Sequence, residues 1–148
     1  MVRDRSLRLG SILVALVGLA DSAYLTYAKL FHQQVVCGGY QGCETVNNSP
    51  YAEVAGIPVA LLGFGAYLAI LGLLALEQRG DFWSQNVPVL VFGISLAGVL
   101  YSAYLTYIEL AVIHAICFYC VVSAVAISLL FILSIMRLIN NPIETETI

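Results

Sequence analysis

Charged residues are scarce in this chain. Lys, Arg, Asp and Glu make up 10% of its 148 residues, whereas 61% are hydrophobic. Because soluble domains carry about 25% charged residues, this composition excludes an ordinary soluble protein. The net charge is only -3 at pH 7 and offers no basic surface for nucleic acid. The composition therefore predicts an integral membrane protein that lies in the lipid bilayer. It predicts no nucleic-acid partner.

The hydrophobic residues are concentrated in four long apolar runs. They extend over about residues 9–31, 57–76, 87–110 and 113–138, each close to the roughly 20 residues that cross a hydrocarbon core of about 30 Å. Spanning segments are helices or closed barrels, and these runs lack the alternation of barrel strands. We predict an all-α fold, an integral membrane four-helix bundle formed by residues 1–148 as a single domain.

The arginines predict the orientation of the bundle. Three arginines precede the first run, Arg79 lies between the second and third runs, and Arg137 lies at the end of the last. Basic residues concentrate on the cytoplasmic side, so both termini are expected in the cytoplasm of a bacterial-type inner or plasma membrane. A cleaved signal peptide is the competing interpretation of the first run, but that run is long and part of it recurs later in the chain.

The recurrence is an internal repeat. Residues 22–27 (SAYLTY) reappear letter for letter as residues 102–107, and in both copies a cysteine follows ten residues after the second tyrosine, giving Cys37 and Cys117. This predicts a duplicated helix pair in which each half delivers cysteines to the same surface. The tyrosines themselves suit a membrane interface.

Two acidic residues lie within or at the end of apolar runs. An ionisable side chain inside a membrane is a functional candidate by default. Glu109 is expected in the outer headgroup region, whereas Asp21 is expected deeper and therefore needs a partner.

The chain has four cysteines, which form two pairs. The predicted orientation places both pairs on the extracytoplasmic side of the membrane. Cys117 and Cys120 have the CxxC spacing of dithiol oxidoreductases and lie at the start of the last run, whereas Cys37 and Cys43 lie in the glycine-rich loop between helices 1 and 2. A helix N-terminus favours a thiolate. At the membrane edge such a thiolate can meet a lipid-soluble acceptor, for which a quinone is the obvious candidate.

Other interpretations of the cysteines stay open. His32 and His114 supply residue types for a zinc site, but an oxidising compartment and the spacing of the loop pair disfavour it, so no metal is expected. The loop pair alone is equally well a structural staple. A small four-helix transporter or binding protein with structural disulfides, centred on Asp21, is the alternative function.

Taken together, these residues resemble a bacterial-type member of the vitamin K epoxide reductase family. The resemblance rests on the loop pair Cys37 and Cys43, on Ser49 six residues later, on residues 56–58 (GIP) before the second helix, and on the CxxC at residues 117–120. It extends over nearly all of the chain from the first helix to the fourth.

The resemblance implies a helical bundle around a quinone drawn from the membrane pool, of the ubiquinone, menaquinone or phylloquinone type. It places Cys120 next to the quinone ring, lets Cys117 exchange with Cys43, turns Cys37 towards a thioredoxin-like partner, and has Ser49 help to cap the pocket. The activity implied is that of a quinone-dependent thiol oxidoreductase that supports disulfide bond formation.

Two features depart from the family pattern. The chain ends at Ile148 without a fused thioredoxin-like domain, so the expected partner is a separate thioredoxin-like protein. Ala124 stands where animal members carry a tyrosine, which favours simple quinone reduction over epoxide reduction.

The predicted quinone-binding residues are Ser49, Val59, Leu62 and Phe118.

Overall fold

Four long helices make up most of the described protein. The computed structural model describes residues 2–31, 50, 53–114 and 117–140. The helices are α1 (Val2–Leu30), α2 (Val59–Leu76), α3 (Asp81–Ile108) and α4 (Phe118–Asn140), and a short antiparallel pair, β1 (Glu53–Val54) and β2 (Ile57–Pro58), precedes α2. Each helix is long and apolar enough to cross a membrane. The predicted all-α membrane bundle is confirmed.

The helices pack as neighbours in chain order, and the ring closes where α4 meets α1. A core of buried side chains from all four helices fills the interior; it includes Ala15, Ile70, Leu74, Val91 and Leu130. Large apolar side chains also cover the outside, and Leu13 and Leu100 are each 64% exposed. Such a surface suits lipid tails and would be costly in water.

Two glycines allow the helices to approach closely. A Cβ added at Gly18 of α1 would lie 2.4 Å from the ring of Tyr67, and one at Gly98 of α3 would lie 2.6 Å from Ile127. Tyr67 is 2% exposed, and its hydroxyl donates to the carbonyl oxygen of Ser123 at 2.9 Å. Because these residues are small, the backbone of α1 packs directly against a side chain of α2, and the backbone of α3 packs directly against a side chain of α4.

A cluster of charged side chains closes one end of the bundle. Glu77, directly after α2, pairs with Arg137 of α4 and lies 3.6 Å from Nε of Arg8 on α1. Arg8 also donates to the carbonyl oxygen of Leu74 at 2.9 Å. Removing one partner of such a buried group costs about 3–5 kcal/mol. The cluster places the start of α1 and the end of α4 at the same end of the bundle.

The hairpin lies at the opposite end. Its turn residues Ala55 and Gly56 have φ of 52° and 82°, the positive values that a two-residue type I′ turn requires at both central positions. Lys29, in the last turn of α1, lies 3.4 Å from the carboxylate of Glu53. This ion pair ties the hairpin to the end of α1.

The connection between α3 and α4 is a break in the helix. After Ile108 the chain forms one wider π turn, Glu109–Ile113, and His114 then adopts the left-handed conformation at φ 55°. The last helix therefore begins at Phe118, five residues after the start of the apolar run at residue 113. Hydropathy does not register this break because the residues in it are themselves largely apolar.

Replacing Gly18 with alanine is expected to destabilise the fold. The new methyl group would meet the buried Tyr67 ring, and overpacking of this kind costs about 1–3 kcal/mol. Gly72→Ala is the matched control, since no atom lies within 4 Å of a Cβ at that position of α2 and alanine favours a helix by about 1 kcal/mol over glycine. Thermal unfolding in detergent should give a lower midpoint for Gly18→Ala only; equal midpoints would contradict the packing described.

Candidate functional site

The CxxC pair opens α4. Cys117 immediately precedes the helix and is 0% exposed, and Cys120 follows in the first turn. The carbonyl oxygen of Cys117 already accepts the N–H of Val121 at 3.1 Å, as in the helix that follows. Residues three apart share a face of a helix, and both cysteines are thiols whose side chains are hydrogen-bonded to each other. The two sulfurs are placed to form and break a disulfide.

Hydrogen bonds select Cys117 as the more acidic thiol of the pair. Its sulfur accepts a hydrogen bond from the Cys120 side chain and further ones from the backbone of Cys120 and Tyr119, and these lower the pKa of Cys117 below its ordinary value. Burial and the nearby Glu109 carboxylate oppose the effect without cancelling it. The N-terminal end of α4 thus favours a thiolate at its first cysteine.

Glu109 lies against both cysteines. It is 5% exposed, Oε2 accepts the backbone N–H of Cys117 at 3.5 Å, and its carboxylate is also hydrogen-bonded to the Cys120 side chain. The expectation that Glu109 lies in the outer headgroup region stays a prediction. The side chain itself is buried against the start of α4. A carboxylate at the end of an apolar run is visible in the sequence, whereas its position beside the CxxC pair is not.

A cavity of about 590 Å³ opens beside the cysteines. All four helices line it, and so does Val54 of the hairpin. Its wall is mainly apolar, with a few polar side chains: Ser22, Tyr67, Tyr101, Ser102, Thr106, Glu109 and Ser123. Cys117 and Cys120 both form part of the wall. Cofactor pockets commonly have this size and character, about 300–1,000 Å³ and apolar with few polar groups.

The predicted pocket residues divide into three groups. Val59 and Leu62 line the cavity, as does Ala124. Phe118 does not; it is 62% exposed and stacks edge-on against Tyr119, because it lies on a different face of α4 from the cysteines. Ser49 lies outside the described residues.

The residues present fit a quinone. The wall is apolar enough for a molecule that resides in the bilayer, its few hydroxyl groups can meet ring oxygens, and a thiol pair lies within it. A quinone bound here would be held mainly by the apolar side chains of α2, α3 and α4.

The repeated hexapeptide has the same local structure in both copies. Thr26 donates to the carbonyl oxygen of Ser22 at 2.7 Å, and Thr106 donates to that of Ser102 at 2.8 Å. Ser22 and Ser102 both line the cavity. The duplication therefore supplies two equivalent helix segments to the wall of one pocket.

Asp21 is a second buried carboxyl group near the site. It is 8% exposed, and its Oδ2 has no hydrogen-bond partner among the described residues. It lies close enough to Cys120 and Tyr67 to act on both electrostatically. The described residues therefore leave one oxygen of this buried carboxyl group without a hydrogen bond.

The loop cysteines Cys37 and Cys43 lie outside the described residues, as does His32. Within the described ranges, no group of three or more His, Cys, Asp or Glu side chains comes together as a metal site would require.

Comparison with known proteins identifies a family and a relative within it. Residues 10–135 match the sequence profile of the Vitamin K epoxide reductase family. Thiol-disulfide oxidoreductase LTO1 of Arabidopsis thaliana is 36% identical over 123 residues, which cover 79% of this chain and 33% of the plant protein. The chain thus spans about a third of the length of this relative.

Replacing Cys120 with alanine is expected to raise the pH at which Cys117 reacts. Without the Cys120 donor the Cys117 thiolate loses its largest stabilising interaction, so half-maximal alkylation should move up by about one pH unit. Cys120→Ser keeps a hydroxyl donor and should shift the midpoint less. The measurement is iodoacetamide labelling of reduced protein, followed by mass spectrometry of the Cys117 peptide; identical midpoints in all three proteins would contradict the assignment.

Proposed function

This chain belongs to the vitamin K epoxide reductase family, and on that premise we propose that it is a membrane thiol-disulfide oxidoreductase. In this proposal it oxidises the dithiol of a separate thioredoxin-like protein and passes two electrons through its two cysteine pairs to a quinone of the membrane pool. The result is support for disulfide bond formation outside the cytoplasm.

One observation carries the proposal. The hydrogen-bonded thiols of Cys117 and Cys120 form part of the wall of a large apolar cavity inside a bundle of membrane-spanning helices. A thiol pair that served only as a structural staple would gain nothing from this position. A pair that gives electrons to a lipid-soluble acceptor requires it.

The cysteines act in a fixed order. A partner thiolate attacks Cys37 of the loop disulfide, and the partner leaves as a disulfide after its second thiol displaces Cys37. The reduced loop then holds both electrons. Cys43 attacks Cys117, breaking the Cys117–Cys120 bond, and Cys37 closes on Cys43 to restore the loop disulfide. The membrane pair is now a dithiol, and each exchange has needed a thiolate as nucleophile and a thiolate as leaving group.

When bound, a quinone would accept the two electrons and two protons that are released as Cys117 and Cys120 form their disulfide again. Val59 and Leu62 of α2 would hold it against the cysteines, and Ser49 is assigned to the cap of the same pocket. Ala124 lines this cavity, and its methyl group cannot donate a hydrogen bond to an oxygen of the substrate. This favours simple quinone reduction over epoxide reduction.

The orientation is part of the proposal. The start of α1 and the end of α4 meet at Glu77, whereas the CxxC pair and the hairpin lie at the other end of the helices. With the arginine-rich end in the cytoplasm, both termini are cytoplasmic and the cysteines face the outer compartment. That compartment is one in which disulfides persist.

Purified protein is expected to reduce a soluble quinone when supplied with a reduced thioredoxin-like dithiol. Cys37→Ser and Cys120→Ser should each lower the rate at least about 100-fold, because each breaks the chain of exchanges. Leu62→Trp should obstruct the cavity and raise the KM for quinone, while Phe118→Leu, outside the cavity, should leave it unchanged. Quinone absorbance follows the reaction.

Full activity in Cys120→Ser would reject the relay. Absence of quinone reduction in the unaltered protein would instead favour the transporter or binding-protein alternative. The relevant observation for that alternative is the buried Asp21, whose Oδ2 has no hydrogen-bond partner among the described residues.

A further inference from the structure

We propose that Glu109 accepts the thiol proton of Cys120 when the membrane pair is oxidised and delivers it towards the electron acceptor. This inference rests on the proposed function, since it names the group that moves protons at the same site. It makes Glu109 a catalytic residue, in hydrogen-bond contact with a reacting sulfur.

Glu109 continues α3 with helical backbone angles, and the backbone that follows it is unusual. The π turn Glu109–Ile113 and the left-handed His114 together turn the chain back, so that a carboxylate from the end of α3 lies at the start of α4. Single π turns within helices occur frequently at functional sites. Here the turn gives a 5% exposed carboxylate a place in the cavity wall beside both thiols.

The internal repeat provides a comparison within the chain. The offset of eighty residues that aligns the two hexapeptides places Lys29 at the position of Glu109. Lys29 points away to an ion pair with Glu53 of the hairpin, at 3.4 Å. The two halves therefore carry opposite charges at this position, and the acidic one lies in the half that bears the CxxC pair.

The chemistry of the site needs a proton acceptor at this point. Closing the disulfide forms one S–S bond, removes two electrons from the sulfurs and releases one proton from each thiol. The quinone takes up both electrons and both protons. The apolar wall offers a released proton few acceptors, so a carboxylate that touches the Cys120 thiol can receive the proton, hold it as the acid and give it up at the cavity wall. Glu109 ends in the state in which it began.

A structural role is the competing explanation. Glu109 accepts the N–H of Cys117 at 3.5 Å, which helps to satisfy the free amide groups at the start of α4. Glu109→Gln separates the two roles, because its amide oxygen can still accept that N–H but cannot carry a proton. A residue needed only as a cap should tolerate this change.

Among the described residues, two other titratable groups act on Cys120. Cys117 is its hydrogen-bonded partner, and Asp21 of α1 acts on it electrostatically. No hydrogen bond joins Asp21 to Cys120 among the contacts of the described residues, and Asp21 does not line the cavity. Asp21→Asn is therefore the matched control: it removes a nearby carboxyl group that has charge but no proton path to the thiol.

The first measurement is independent of the quinone. Reduced full-length protein is labelled with iodoacetamide across a pH series, and mass spectrometry quantifies the modified Cys120 peptide. Losing the adjacent carboxylate removes repulsion, so in Glu109→Gln half-maximal labelling of Cys120 should occur about one pH unit lower. An unchanged midpoint would show that the two groups are not coupled and would overturn the inference, whatever the activity of the protein.

The second measurement is the rate of quinone reduction by the pre-reduced protein in a single turnover. Glu109→Gln should slow it by about 100-fold, the size typical of a lost acid-base group, although more of Cys120 is then thiolate. Asp21→Asn should shift the labelling midpoint yet stay within about twofold of the original rate. If Glu109→Gln reduces the quinone as fast as the unaltered protein, or faster, Glu109 has only an electrostatic or capping role, and the inference is overturned. If the unaltered protein reduces no quinone, the proposed function fails, and this inference fails with it.

Discussion

The helix break between α3 and α4 is the constraint on which the site depends. Glu109 itself keeps helical backbone angles, φ -60° and ψ -42°, so its position follows from α3. If the helix continued regularly beyond Glu109, the start of α4 would lie elsewhere. The π turn and the left-handed His114 instead return the chain so that the Glu109 carboxylate accepts the N–H of Cys117. One short segment thereby fixes the acid, both thiols and one wall of the cavity relative to one another.

The bundle supplies what that segment cannot. Close contacts at Gly18 and Gly98 hold the helices together near the level of the cavity, and the buried cluster around Glu77 holds the far end. The outer surface is apolar, so the same helices that enclose the cavity also keep it within the bilayer. Together these features place the thiol pair of Cys117 and Cys120 in the wall of an enclosed apolar cavity, as the proposed relay to a lipid-soluble acceptor requires.

Most of the fold could be predicted from the sequence, and only part of the site. The length of each apolar run and the CxxC spacing are local properties, so four helices and a thiol pair at the start of the last one could be predicted. Val59 and Leu62, predicted as quinone-binding residues, line the cavity, whereas Phe118 lies outside it because the start of α4 turns its side chain to another face. The approach of Glu109 to Cys117 depends on the backbone between α3 and α4, which hydropathy does not reveal.

In the proposed relay, electrons reach the membrane pair by exchange between Cys43 and Cys117. The most direct test uses the double variant Cys37→Ser/Cys120→Ser, which retains only those two cysteines, with Cys43→Ser/Cys120→Ser as the comparison. After mild oxidation, peptide mapping under non-reducing conditions should find Cys43 and Cys117 joined within one chain in the first variant, and much less joining of Cys37 to Cys117 in the second. If Cys43 and Cys117 both remain free thiols, the relay described here is contradicted.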